Sequence, residues 1–128
     1  MSEAKPGMRD PAIRTIAMPA DANANGDIFG GWMMAQMDLA GAVMAVRRAS
    51  GRVATVAIEA MAFHRPVMIG DLVSCYAEVE RVGRTSMTIR IDAWVERRVG
   101  GKAEQVTSGL FTYVAIDDKG RPRPVPPA

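Results

Sequence analysis

Few residues in this chain of 128 can do acid–base or nucleophilic chemistry in an apolar setting. Asp38 is the first candidate. From Trp32 to Val46 the chain reads W-M-M-A-Q-M-D-L-A-G-A-V-M-A-V, and only Gln36 and Asp38 in it are strongly polar. An unpaired carboxylate is costly to bury, so a carboxylate placed there serves a reaction or a buried ion pair, and the residues alone leave both open. As chemistry, it can act as a general base on water or attack a carbonyl carbon itself. Gly30 and Gly31 lie just ahead of this run. At a helix N-terminus they would offer unobstructed backbone N–H groups where the dipole favours negative charge, which is the requirement for an oxyanion hole. Other chemistries lack their parts. One histidine, His64, and no G-x-S-x-G elbow argue against a Ser-His-Asp triad. One histidine and one cysteine, Cys75, argue against a zinc site.

The elements that must hold these groups follow from periodicity. A loop dense in Asn, Asp and Gly covers residues 20–29, and a helix starts near Gly30 or Gly31 and ends near Ala49. Arg47 and Arg48 suit its last turn and Gly51 is the expected C-cap. Apolar on all sides, this helix is expected to be buried on all sides. A short strand is expected at Arg14–Ala17. Four long strands follow, over Val53–Phe63, Leu72–Val82, Thr85–Arg98 and Glu104–Ile116, each bounded by Gly, Pro or Asp. The face Ala54, Val56, Ile58, Ala60, Ala62 of the first is expected against the helix. Short connections between alternating strands predict an antiparallel meander, and the whole reads as a single α+β domain. Residues 1–12 are expected to be a flexible leader, and residues 121–128, R-P-R-P-V-P-P-A, an extended or disordered tail.

The totals are those of an ordinary globular chain: 48% apolar, 23% charged, net charge +2 and pI about 9.0. The mild basicity fits a polyanionic ligand. A lone cysteine excludes an intrachain disulfide and favours a reducing, cytoplasmic setting. No signal peptide is legible in the first ten residues, and the apolar helix is too short and interrupted to span a bilayer.

Three segments carry a resemblance. N-A-N-G-D-I-F-G-G-W-M-M-A-Q-M-D (23–38), F-H-R-P-V-M-I-G-D (63–71) and V-G-R-T-S (82–86) are similar to those of hotdog-fold acyl-CoA thioester hydrolases of the YciA type, over about residues 14–124. The resemblance implies a hotdog fold, one long central helix wrapped by an antiparallel β-sheet. It implies hydrolysis of acyl-CoA to free acid and CoA without metal or cofactor, CoA being part of the substrate. It also implies homodimers joined edge to edge and assembled as trimers of dimers, with no nucleic-acid or membrane partner. The catalytic pair falls on Asn23 and Asp38, with Gly30 and Gly31 as oxyanion donors. The family usually has Thr before that Asn; here it is Ala22. Arg84, Arg65 and Ser86 are the CoA-binding candidates, with Arg123 a further cation to consider.

Helix geometry adds a constraint. Gly31 and Asp38 are two turns apart on one face, roughly 10 Å along the axis, so one thioester carbon cannot touch both groups of one chain. If both take part, the site is shared by two subunits. Plainer roles fit several of the other residues. Asn25 and Asp27 read as turn residues, His64 as structural, Glu59 as an interface or supporting polar group, and Met33, Met34, Met37 and Met44 as core. A hotdog protein that binds acyl or CoA ligands without turnover is the alternative function. A dehydratase would ordinarily want a catalytic His within the helix–loop segment.

Overall fold

The computed structural model describes residues 10–97 and 100–128. The leader expected over residues 1–12 thus lies largely outside the described residues. Chain order is β1 (Ile13–Ile16), a 3-10 turn (Pro19–Asp21), α1 (Gly30–Ala49), β2 (Val53–Phe63), β3 (Leu72–Val82), β4 (Ser86–Glu96) and β5 (Ala103–Ala115). The sheet is antiparallel, in the order β1-β3-β4-β5-β2. It packs against one side of α1, as the hotdog architecture requires.

The meander holds for β3-β4-β5. It fails for β2, which pairs with β5 at the far edge. The segment from His64 to Asp71 is not a hairpin but a crossing at the sheet end. It is latched by Asp71, 2% exposed, whose carboxylate accepts from Met68 N–H at 2.8 Å and pairs with Arg97. Arg97 also donates to the Pro66 carbonyl at 2.9 Å. Such a buried charge needs this full set of partners, which gives the F-H-R-P-V-M-I-G-D segment a structural reason for its final acid.

Strand β4 keeps its alternation, and β3 keeps it only as far as Val79, where its register with β4 shifts. Met87, Ile89, Ile91, Ala93 and Val95 of β4 are all buried, as are Val73 and Cys75 of β3. The Cys75 thiol, pushed up to about 12 by burial, stays a thiol and fills core. β2 departs from expectation. Register shifts at Thr55/Ala57 and Glu59/Ala62 break its period-two pattern, and Ala60 sits at φ 52°. Val56 and Ile58, expected against the helix, are exposed instead, and Thr55 reaches the helix in their place.

The helix is covered on one side only. Met33, Met37, Ala40, Gly41, Ala45 and Ala49 are buried, while Gly31, Ala35, Leu39 (55% exposed) and Val46 face outward. The expectation of burial all round is thus not met within one protomer, because the sheet offers a single concave face.

The C-terminal tail is docked rather than loose. Val125 N–H donates to Arg84 C=O at 2.9 Å, and Ile116 bridges Pro122. Arg123 donates to the carbonyls of Ala49 (2.9 Å) and Ile116 (3.0 Å), so it closes the C-terminus of α1. A Cβ at Gly51 would lie 2.7 Å from the Arg123 guanidinium. Gly51 is therefore small to admit Arg123, and the left-handed cap position expected of Gly51 is taken instead by Ser50, at φ 53°. Arg123→Ala should cost about 1–2 kcal/mol in urea unfolding, the value of charge-assisted bonds that are partly exposed, without altering activity.

Candidate active site

Asp38 lies in the middle of α1, half-buried, on the margin between the sheet-facing and outward sides of the helix. Its Oδ1 accepts from Thr55 Oγ1 of β2 at 2.7 Å and from Tyr113 Oη of β5 at 2.9 Å. Among the described residues both hydrogen bonds fall on Oδ1, leaving Oδ2 clear. No arginine pairs with it among the described residues. The Tyr113 phenol is held above its ordinary range, first by burial, then by its hydrogen bond to Asp38 and by that carboxylate's charge. It therefore remains a donor wherever Asp38 is ionised. Neither Thr55 nor Tyr113 was legible as a site residue. Both sit on strands whose patterning marks them only as sheet residues, and the contact depends on a β2 bulge and a helix glycine.

Asn23 opens the turn ahead of the helix. Its Oδ1 accepts the backbone N–H groups of Asn25 (2.9 Å) and Asp27 (3.1 Å), and its own N–H donates to Asp27 C=O at 2.7 Å. Gly26, at φ 87°, supplies the conformation that closes this turn. Two N–H donors on one atom fix the amide orientation: the oxygen braces the loop and the NH2 group is left as a donor. The loop is thus braced by Asn23 itself, whereas Ala22 contributes a backbone bridge to Ile28. Asn25 and Asp27 serve the turn, as expected.

Gly30 and Gly31 open α1 after Phe29, which provides no side-chain cap. Their N–H groups find no acceptor among the described residues, and around Gly31 the space where a Cβ would stand is open. Beside them lies an open groove of about 290 Å³, walled by Ile28, Met33, Phe63 and Val67 with His64 at the rim. His64 is hydrogen-bonded to Ser108 Oγ at 3.1 Å, a structural pairing. Arg65 donates to Gln105 C=O at 2.6 Å and approaches Glu104 at 3.5 Å. Arg84 projects from the β3–β4 turn, exposed and with no ion pair among the described residues. Ser86 begins β4, its carbonyl accepting from Gly83 N–H at 2.8 Å. Among the described residues no cluster of His, Cys, Asp or Glu is spaced to hold a metal, and no helix is long and apolar enough to cross a membrane.

Comparison with known proteins agrees with this architecture. A sequence model of the thioesterase superfamily matches residues 25–102. The acyl-CoA thioester hydrolase YciA of Salmonella typhimurium is 53% identical over 117 residues, covering 89% of this chain and 88% of that protein. The crystal structure of a hexameric thioesterase from Yersinia pestis superposes with a TM-score of 0.88 at 51% identity, over 93% of this chain and 97% of that one. An acyl-CoA hydrolase of Staphylococcus aureus, solved with butyryl coenzyme A and coenzyme A, superposes with a TM-score of 0.82 at 29% identity, over 89% of this chain and 70% of that one. In that enzyme an asparagine and an aspartate have each been replaced by alanine, and they are fifteen positions apart, as Asn23 and Asp38 are here. The chain belongs to the thioesterase superfamily of hotdog-fold proteins, among the YciA-type acyl-CoA thioester hydrolases.

Proposed function

We propose that this chain hydrolyses acyl-CoA to free acid and CoA, with Asp38 as the general base or the nucleophile. The observation that carries this is a helix carboxylate fixed through one oxygen by Thr55 and Tyr113 with its other oxygen clear. An asparagine stands at the matching spacing, with its NH2 group still a donor. In this reading Oδ2 of Asp38 either takes the proton of the water that attacks the thioester carbon, or attacks that carbon itself to give an anhydride that water then opens. In both the C–S bond breaks and CoA leaves as its thiol, and the Asn23 amide orients the water or the carbonyl. The N–H groups of Gly30 and Gly31 receive the developing oxyanion. The direct test is thiol release from a panel of acyl-CoA chain lengths. Turnover with at least one chain length supports hydrolysis, whereas tight binding of every member without thiol release would favour the non-catalytic acyl or CoA binder instead. A cytoplasmic setting goes with this reading and fits a buried, unpaired Cys75.

The site is completed by a second copy. Gly31 and Asp38 stay two turns apart in a straight helix, roughly 10 Å. The uncovered apolar stripe of Gly31, Ala35, Leu39 and Val46 and the unpaired edge of β2, with Val56 exposed, are surfaces a monomer would not leave open to water. An antiparallel pairing of two such helices would set each Gly31 near the partner helix's carboxylate. The hexameric relative makes a trimer of such dimers the expected assembly.

Coenzyme A is polyanionic. Arg84 is the first candidate to meet its phosphates, with Ser86 beside it; Arg65, already engaged with Gln105 and Glu104, ranks second. KM for acyl-CoA should rise with ionic strength, because salt screens exposed charge pairs, and Arg84→Ala should raise KM with kcat unchanged. A KM that is flat from low to high salt would argue against phosphate-contacting arginines.

A further inference from the structure

We propose that Tyr113 is a positioning residue for the reaction: its phenol, seated in a notch at Gly41, clamps Asp38 through the backbone and one carboxylate oxygen, so that the other oxygen is the one that reacts. This rests on the role of Asp38 given above and adds the device that aims it.

Tyr113 is fully buried, and a buried phenol needs a partner. One acceptor would suffice. Instead Oη lies 2.8 Å from the Asp38 carbonyl oxygen and 2.9 Å from Asp38 Oδ1, a single O–H between two acceptors on the same residue. The helix is shaped for it. Gly41 stands one turn beyond Asp38, and a Cβ there would overlap Tyr113 Oη and come within 2.8 Å of its Cζ and 2.7 Å of Ile91 Cδ1. Glycine inside a helix costs about 1 kcal/mol relative to alanine, and here that cost goes with the passage of the phenol to Asp38. Thr55 takes the same carboxylate oxygen from β2. With both donors on Oδ1, the rotation of the carboxyl group is fixed and Oδ2 is turned to the reaction. With two acceptors in reach, the phenol keeps a partner whether the carboxyl is ionised or has taken up a proton, so Asp38 need not turn between those states.

Few groups around Asp38 can titrate. β5 presents Tyr113, β2 presents Thr55, and β4 presents Ile91 across Gly41. The buried β3 residues that can titrate are Tyr76 and Cys75, and Cys75 stays an uncharged thiol. The helix neighbours one turn away, Met34, Ala35, Gly41 and Ala42, carry no charge.

The test uses Tyr113→Phe in the full chain, which keeps the ring in its seat and removes only the O–H. The folded variant should show kcat reduced about 10- to 100-fold, the range for losing a hydrogen bond to a charged group, and KM within about twofold of wild type. The acid limb of its kcat–pH profile should move to higher pH, since a carboxylate stripped of a donor holds its proton more readily. Gly41→Ala keeps the hydroxyl and denies it its seat, and should move both readouts in the same directions; it carries the test if Tyr113→Phe does not fold. A folded variant with wild-type kcat, or with lowered kcat and an unmoved acid limb, overturns the proposal. Asp38→Asn is measured alongside. If it keeps full activity, the underlying reading of Asp38 has failed; if it is inactive while Tyr113→Phe is fully active, only the present proposal has.

Discussion

Replacing Asp38 by asparagine should lower kcat by roughly 10²–10⁴-fold, the contribution of a positioned acid–base group, and leave the fold in place. The two halves of this expectation have separate origins. Thr55 and Tyr113 both donate to Oδ1, and an asparagine carbonyl oxygen in that position accepts the same two bonds. The packing at Gly41 is untouched, so unfolding by urea should shift by no more than about 1 kcal/mol. At Oδ2, however, the substitution puts an NH2 group that can neither take a proton from water nor attack a carbonyl. The loss should therefore fall on kcat, because acyl-CoA binding does not use that atom in the ground state. A folded Asp38→Asn protein with near wild-type kcat would remove Asp38 from the chemistry.

Much of the fold was legible because its signals are local. The α1, β2 and β3 spans expected from periodicity match those observed, and β4 and β5 differ by one or two residues at their ends. The inward set of β4, Met87 to Val95, follows from strict alternation in a strand with no bulge before Ala93. What was not legible depends on contacts distant in sequence. β2 joins β5 rather than β3 because the segment 64–71 is tied across the sheet end by Asp71 and Arg97, 26 residues apart. Its bulges cannot be seen in a run of small and β-branched residues, and they reverse which side chains meet the helix. The tail looks disordered by composition, yet Arg123 finds two carbonyl acceptors, Ala49 of α1 and Ile116 just past β5.

The candidate site divides in the same way. Asp38 could be singled out because it is costly where it stands, Gly30 and Gly31 because they open a helix with unobstructed N–H groups, and Asn23 because it matches a motif. Thr55 and Tyr113 carry no such mark: a threonine and a tyrosine in strands are what sheets are made of. Gly41 was a weak signal in principle, a glycine inside a helix, but its reason is visible only once Tyr113 is placed beside it. As sequence, Arg84 and Arg65 lie in the matched segments and rank first and second, and Arg123 lies outside them. The structure separates them by how far each is already committed: Arg123 to the helix end, Arg65 to β5, and Arg84 to no ion pair among the described residues.

Asn23→Ala and Asp38→Ala should each be nearly inactive alone and should restore one another when mixed. If the loop asparagine of one chain works with the helix carboxylate of its partner, a heterodimer of the two variants has one site with both lesions and one with neither. The intact site needs nothing from the damaged one. Asn23→Ala also removes the acceptor for two loop N–H groups, so each variant is first shown to be folded and dimeric. The measurement is thiol release after the two variants are dissociated together and reassembled, with heterodimer formation verified by differently tagged chains. A shared site predicts recovery to about half of wild-type activity per heterodimer, one working site of two. Verified exchange with activity still at the level of the separate variants would contradict it, and would place the whole catalytic apparatus within a single chain.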